Sequence, residues 1–374
     1  MLSTRILTAA CLVAGFGVTS TALAGQPSVC ELTAQTMFRA CLSDVKDDFL
    51  TLDANCLNIG DEEEQSECFE ESLEDSADEK AYCRDVKAAR LDACDLLAED
   101  LYDPDPLLDE GITFVHPDDV DANSVNPYVS VIAGHTYVLN VTGGDDEEMV
   151  IVHVTDETRE ILGVECRVVV DVVVEESYEL DEEDGWEWEY EAIEVTDDWF
   201  AQDKDGDVYY CGEVARNFED GVLRDLDGSF EAGIEYAKAG VIIRADPVAG
   251  EVHRQEYSLG EAEDIIQYMG MGAPTEEEGG DNAAFPCDPE CLVTFDFAPV
   301  EPESTEYKYY LEGVGFVLAV GLEDGEITGE REELVCVGDS LDVLGEDECG
   351  IEDADELLEE LCELSPDAFC ADDD

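Results

Sequence analysis

Hydrophobic residues follow two different spacings along this 374-residue chain. Between about residues 28 and 99 they recur at helical spacing among Ala, Leu, Glu, Asp and Lys, and Gly60 interrupts the pattern. From about residue 126, β-branched and aromatic runs such as "CRVVVDVVV" and "EYKYYLEGVGFVLAV" alternate with Gly, Asp and Pro. The pattern predicts an α+β protein that is mainly β. A helical hairpin, with helices at about 28–57 and 65–99, precedes an antiparallel β-sandwich or partly open barrel.

The same pattern divides the chain into segments. We predict a signal peptide at 1–24, a Cys-rich helical hairpin at 25–102, a linker at 103–126, an antiparallel β domain at 127–336 and an acidic, Cys-containing tail at 337–374. The linker begins in "YDPDP", where proline cannot continue a helix. One short helix is expected within the β domain, at Gly260–Met269.

The cysteines of the helical segment are spaced as a palindrome. Cys30, Cys41, Cys56, Cys68, Cys83 and Cys94 are separated by 11, 15, 12, 15 and 11 residues. Eleven residues make about three helical turns, which keeps both cysteines on nearly one face. Six cysteines allow 15 connectivities, but the palindrome favours the nested pairs Cys30–Cys94, Cys41–Cys83 and Cys56–Cys68.

The other cysteines also favour disulfides. Without Cys11 of the predicted signal, 14 of the 15 cysteines remain, enough for seven bonds. Cys166 and Cys211 are expected to pair across the sheet. Cys287 and Cys291 are the only closely spaced pair, and no histidine near them supports zinc binding.

The N-terminus has the pattern of an export signal. Arg5 precedes an apolar run from Leu7 to Val18, and "ALA" at 22–24 is a small-residue cleavage site. The run is too short for a transmembrane helix, so no membrane insertion is expected. We predict a soluble protein of the periplasm or the extracellular medium.

The charge balance is strongly acidic. The chain has 99 Asp and Glu against 17 Lys and Arg, a formal net charge of −82. Such a surface repels phosphate groups, which disfavours nucleic acid as a partner. A solvated acidic coat suits saline surroundings, as in halophilic adaptation, and divalent cations are the candidate partners.

The stretch "WFAQDKDGDVYYCGE" (199–213) raises the question of a calcium loop. With Gly206 at the sixth position of an EF-hand loop, Ala201 takes the first position and Gly212 the twelfth, and neither can bind calcium. The Asp-Gly pair instead favours a tight β-hairpin turn whose acids face solvent. Weak calcium binding by Asp203, Asp205 and Asp207 stays open as the alternative, and no other cofactor is expected.

Catalytic motifs are absent from the sequence, so no catalytic residue is assigned. A second polar cluster, "VHRQEYSLGEAED" (252–264), contains His253, Arg254, Glu256 and Glu261 as candidate ligand-binding residues. The leading interpretation is a secreted, non-enzymatic protein that binds an unknown ligand or acts at the cell exterior. Low-affinity calcium binding by surface carboxylates is one alternative, and an enzyme with a site near this cluster is the other.

Several longer stretches resemble an uncharacterised family of exported bacterial proteins. They are "DDWFAQDKDGDVYYCGE", "GSFEAGIEYAKAGVIIRADPVAGEVHRQEYSLGEAED" and "EYKYYLEGVGFVLAV". The family motifs are W-[YF]-A-Q-D…G-E, R-Q-E-[YF]…G-E-A-E-D and K-Y-Y-x-x-G-V-G, after a Cys-rich helical start. Tyr307 stands where the family commonly has His, and the tail after residue 336 does not resemble the family. The resemblance implies export and this architecture, and no established activity.

Overall fold

A computed structural model describes residues 27–98, 101–144, 148–181, 185–219, 221–275, 278–280, 283–323 and 325–370. The predicted signal peptide, with Cys11, lies outside these residues. Within them, no helix combines the length and the apolar character needed to cross a membrane.

The N-terminal segment is an antiparallel pair of helices, α1 (Val29–Cys56) and α2 (Glu62–Leu97). Ser28 begins α1 in a capping box with Glu31, and Asp61 caps α2 by accepting two backbone N–H bonds. Three disulfides join the helices in the nested order that the palindromic spacing predicts, Cys30–Cys94, Cys41–Cys83 and Cys56–Cys68. The disulfide-stapled hairpin is therefore confirmed.

The described residues of the β domain form 15 strands. They are β1 (Thr136–Thr142), β2 (Glu148–Ile161), β3 (Val164–Asp181), β4 (Gly185–Gln202), β5 (Val208–Glu219), β6 (Val222–Asp225), β7 (Phe230–Glu231), β8 (Lys238–Ile243), β9 (Val252–Arg254), β10 (Glu256–Tyr257), β11 (Ile265–Gly272), β12 (Cys291–Phe297), β13 (Thr305–Leu311), β14 (Gly315–Glu323) and β15 (Glu326–Gly338).

These strands form one antiparallel sheet that nearly closes into a barrel. The order is β10-β8-β5-β4-β3-β2-β1-β15-β14-β13-β12-β11-β9, and β6 and β7 both pair with β5. The two edge strands β9 and β10 are separated in sequence by Gln255 alone. Because these edges follow each other along the chain, the sheet curls until its ends meet. The predicted α+β class with an antiparallel β domain is confirmed.

Residues 103–126, predicted as a linker, pack against the barrel. They include two 3-10 turns, Pro106–Leu108 and Pro117–Asp119. Asn126 donates a side-chain bond to the Gly206 carbonyl and is 4% exposed. Val120, Tyr128 and Val131 join a core cluster with residues of β5, β8, β11, β12 and β13, so this segment closes one end of the barrel.

The C-terminal tail covers part of the barrel's outer face with helices α3 (Ala354–Leu364) and α4 (Pro366–Phe369). Leu357 and Leu361 are fully buried against strand residues such as Val172. The tail is held by the disulfides Cys336–Cys349 and Cys362–Cys370. Two further disulfides, Cys166–Cys211 and Cys287–Cys291, bring the number in the described residues to seven.

The prediction of a helix at Gly260–Met269 is wrong. This stretch enters strand β11, which pairs with β9 on one side and β12 on the other. Ile265, Ile266 and Tyr268 are fully buried there. A run this short does not distinguish a helix from a buried strand by its periodicity, and pairing with two neighbours decides in favour of the strand.

Candidate functional site

The inner face of the barrel contains carboxylates from many strands. Across β3 and β4, Asp171 lies opposite Thr196, and Val173 lies opposite Glu194. Directly opposed residues of antiparallel strands point to the same face of the sheet. Following this register around the barrel places the following acidic residues inside it: Asp171, Glu194, Asp198, Glu213, Asp296, Glu306, Glu330 and Glu332.

Part of this face borders a cavity of about 370 Å³. Its acidic lining residues are Glu148, Asp171, Glu194, Glu306, Glu330 and Glu332. Arg331 is the one basic residue among the described lining residues, and its Nη2 lies 2.8 Å from Glu333 Oε2. Several lining residues belong to the adjacent ends of β1, β2, β14 and β15, which places the cavity at the end of the barrel opposite the segment 103–131.

Lys308 is the base closest to these inner carboxylates. Its Nζ donates to Glu306 Oε1 at 2.8 Å and lies 3.8 Å from Asp296 Oδ2. Asp296 is only 5% exposed, and neither of its carboxylate oxygens accepts a hydrogen bond from the described residues. A buried carboxylate without hydrogen bonds is costly. Asp296 therefore has capacity for a proton or a cation.

The surroundings shift the pKa values of these acids upward. Burial raises the pKa of Asp296 to about 7, and the Lys308 ammonium opposes the rise only in part. Burial also raises the pKa of Glu332 to about 7, again against the effect of Lys308. For Asp171, burial and then the charge of Asp198 hold the pKa well above its usual range. These carboxyls hold protons at a pH at which surface acids have lost theirs.

A second group of acids lies deeper and shares protons with a tyrosine. The Tyr210 hydroxyl contacts Asp198 Oδ1 and lies 2.8 Å from Glu213 Oε2. One hydroxyl proton can serve only one of these contacts, so the other needs a protonated carboxyl. Burial, followed by the charge of Asp198, raises the pKa of Glu213, which agrees with that requirement.

The residues predicted as a ligand cluster lie in separate surroundings. His253 is neutral because burial lowers its pKa to about 4, and its ring nitrogens contact the Tyr268 hydroxyl and the Arg254 carbonyl. The Arg254 guanidinium lies over the rings of Tyr102 and Tyr257.

Two acids complete that cluster. Glu256 is buried and interacts with Asp264 and Glu213 among the inner carboxylates. Glu261 is exposed. Of the four predicted ligand residues, Glu256 is therefore the one that joins the acidic interior.

The turn at "DKDGD" is a hairpin between β4 and β5, but its acids do not all face solvent. Asp203 is 6% exposed, and its Oδ1 accepts the backbone N–H groups of Asp205 and Asp207 at 2.9 and 3.0 Å. Asp207 accepts a bond from Arg244 Nη1 at 2.6 Å, while Asp205 is exposed. The expectation that all three point into solvent is wrong, because the turn folds back onto neighbouring loops. In the part of the chain that the structure describes, no three His, Cys, Asp or Glu side chains are grouped to hold a metal.

The cavity acids are not among the residues singled out from the sequence, although one signal was available. Asp171 interrupts the valine run "CRVVVDVVV" and shares a face with Val169 and Val173. An acid at such a position points into a buried layer, where a charge is costly. The other acids lie on strands far apart in sequence, so only the strand register brings them together.

Comparisons with known proteins add little to this geometry. No family model and no curated protein matches the chain. Similar solved structures are a Bacteroides fragilis protein described as a candidate exported protein with a YmcC-like fold (12% identity, TM-score 0.29, covering 57% of this chain and 98% of that one) and a candidate lipoprotein from Parabacteroides distasonis (10% identity, TM-score 0.29, covering 57% and 99%). At these TM-scores the likeness carries no argument about structure or function.

Proposed function

We propose that this chain is an exported, non-enzymatic binding protein whose barrel binds a small cation in the acidic cavity. One observation carries the proposal. Six of the described acids line the cavity of about 370 Å³. One of them, Glu306, lies directly opposite Asp296 on the neighbouring strand. The buried carboxylate of Asp296 accepts no hydrogen bond from the described residues. Lys308 supplies one positive charge to several carboxylates, which is too little to neutralise them. A cation that enters the cavity replaces the protons that otherwise neutralise these groups.

Export is supported by the disulfides and by the N-terminal pattern. Seven disulfides within residues 30–370 suit an oxidising compartment outside the cytoplasm. The segment 1–24 has the order of a secretory signal, namely a basic residue, an apolar run and small residues. Periplasm and extracellular medium both meet these conditions.

The other two interpretations have weaker support in the geometry. Calcium binding at the hairpin turn would have to compete with the hydrogen bonds that Asp203 and Asp207 already make. An enzymatic site at the second polar cluster would need His253, whose ring nitrogens contact Tyr268 and Arg254. The barrel interior is the site at which buried carboxylates still have capacity for a cation.

Thermal unfolding in the presence of cations tests the proposal. A ligand that binds only the folded state raises the melting temperature. We expect methylammonium chloride to raise it at pH 8, above the effect of sodium chloride at matched ionic strength. The increment should be lost in the double variant Asp171→Asn/Glu332→Gln, which removes two charges from the cavity lining.

A matched control is Glu110→Gln/Asp119→Asn, which removes two exposed charges elsewhere. It should keep the cation-specific increment. An increment that is lost equally in both double variants would assign the effect to the surface charge as a whole. No increment with methylammonium would contradict the proposal.

A further inference from the structure

A second cavity, of about 120 Å³, lies inside the same barrel and is almost entirely apolar. Its lining includes Tyr137, Leu139, Val152, Val169, Phe200 and Phe316. Among the described residues of this lining, Ser130 is the one aliphatic residue with a hydroxyl group, and none carries a formal charge. Its volume approaches the roughly 150 Å³ of an apolar cavity that stays dry and accepts benzene.

The two cavities adjoin along three strands. On β1, Val141 lines the acidic cavity and Leu139 the apolar one. On β3, Asp171 lines the acidic cavity, and Val169, two residues away on the same face, lines the apolar one. Residues i and i+2 of a strand are about 7 Å apart. On β2 the corresponding neighbours are Val150 and Val152.

We infer that the ligand is an amphipathic amine, with its ammonium group among the carboxylates and a short alkyl chain or a single ring in the apolar cavity. The inference rests on the proposed function and specifies the class of ligand. The inner face changes from acidic to apolar within two residues, which matches a charged group joined directly to an apolar one. An inorganic cation would leave the apolar cavity unoccupied.

The size of the apolar cavity limits the apolar part of the ligand. About 120 Å³ accommodates a chain of a few methylene groups or one six-membered ring. Tyr137, Phe200 and Phe316 contribute aromatic surface to this lining. We therefore expect butylamine, hexylamine and 2-phenylethylamine to bind more tightly than methylamine, and long-chain amines to gain nothing further.

Calorimetric titration of the full chain with this amine series at pH 8 tests the inference. Burial of one methylene group contributes about fourfold in affinity, so affinity should rise by roughly that factor per carbon up to the limit of the cavity. Val152→Phe, which fills the apolar cavity, should abolish the dependence of amine affinity on chain length. The matched control is Val222→Phe on the exposed strand β6, where Val222 is 62% exposed, and it should retain the dependence.

The outcomes separate this inference from the proposed function. If methylamine and hexylamine bind equally well to the wild type, the amphipathic ligand is excluded while the cation site stands. If no amine binds, methylamine included, the proposed function itself fails. If 1-hexanol binds as tightly as hexylamine, the apolar cavity acts without the carboxylates, and the inference is overturned. Titration of the wild type with the amine series tests the inference even if Val152→Phe does not fold.

Discussion

Arg90 of α2 and Glu263 form a bidentate ion pair between the helical hairpin and the barrel. Nε of Arg90 lies 2.9 Å from Oε2 and Nη2 lies 2.5 Å from Oε1, and the side chains are 8% and 2% exposed. The Gly260 N–H also donates to Glu263 Oε1 at 2.8 Å. Both groups are buried and joined by two hydrogen bonds. The pair therefore fixes the position of the helical hairpin on the barrel.

We expect Glu263→Gln to lower the free energy of unfolding by about 3–5 kcal/mol, because it leaves the Arg90 charge buried without a counter-ion. The control is Glu219→Gln, which breaks the ion pair between Glu219 and Arg224. Their side chains are 61% and 64% exposed, respectively. Exposed pairs contribute less than about 1 kcal/mol. Urea unfolding of both variants measures the difference. Equal losses would show that the buried pair does not hold the two parts together.

The buried carboxyl of Asp296 predicts the direction of a pH effect. Its pKa is about 7 in the folded chain and about 4 when unfolded, so between these values the folded state binds more protons. The contribution of Asp296 to stability is therefore greatest below pH 4. It falls by up to about 1.4 kcal/mol per pH unit as the pH rises to 7, and it levels off above that pH. Urea unfolding from pH 4 to 9 in 1 M sodium chloride, which screens the surface charges, should show this decline.

Asp296→Asn should flatten that profile, since it removes one of the titrating groups. Relative to the wild type, the variant should gain stability as the pH rises from 5 to 8. Asp119→Asn, at an exposed site, should follow the wild-type profile. A wild-type profile that rises between pH 5 and 8 would mean that the inner carboxyls are already ionised in the folded state.

Lys308 should matter more at high pH than at low pH. Its ammonium lowers the pKa values of Asp296 and Glu332, so Lys308→Met increases the cost of ionising them. We expect a loss of about 2–3 kcal/mol at pH 8 and a smaller one at pH 5, where the carboxyls are protonated. The exposed Lys204→Met serves as the control in denaturant titrations. A loss that is the same at both pH values would indicate that Lys308 contributes packing and no charge.

The hairpin turn between β4 and β5 allows a graded test. Gly206 has φ near +90°, and a Cβ there would lie 3.0 Å from the Cβ of Ala245, so Gly206→Ala should cost about 1 kcal/mol or more. Asp203→Ala removes the acceptor of two backbone N–H groups and should cost about 1–3 kcal/mol. Asp205→Asn should be nearly neutral, because this side chain is exposed. The order of the urea midpoints of the three variants tests these contacts of the turn. A loss of stability in Asp205→Asn as large as in Asp203→Ala would contradict them.

The parts of the fold that local spacing determines could be predicted. The palindrome from Cys30 to Cys94 is a property of helical repeat, and it led to the nested disulfides. The alternating runs led to the antiparallel sheet. The near closure of the sheet could not be predicted, because it depends on where β9 and β10 pair, and those strands have three and two residues.

The candidate site was harder to predict for a related reason. His253, Arg254 and Glu256 are close in sequence, but adjacent residues of a strand point to opposite faces. Asp171 and Glu332 lie far apart in sequence and line one cavity. With 99 acids in the chain, only the strand register distinguishes those that point inward from those that coat the surface.

Proton release on cation binding shows whether the cation binds among the buried carboxyls of the barrel. Carboxyls with pKa values near 7 are mostly protonated at pH 6.5, whereas surface acids are already ionised. Titrating methylammonium into the full chain at pH 6.5, in two buffers of different ionisation enthalpy, counts the protons released per cation bound. We predict a release of about half a proton or more at pH 6.5 and almost none at pH 8.5. Binding without proton release at pH 6.5 would contradict the account, because the cation would then be held by surface carboxylates outside the barrel.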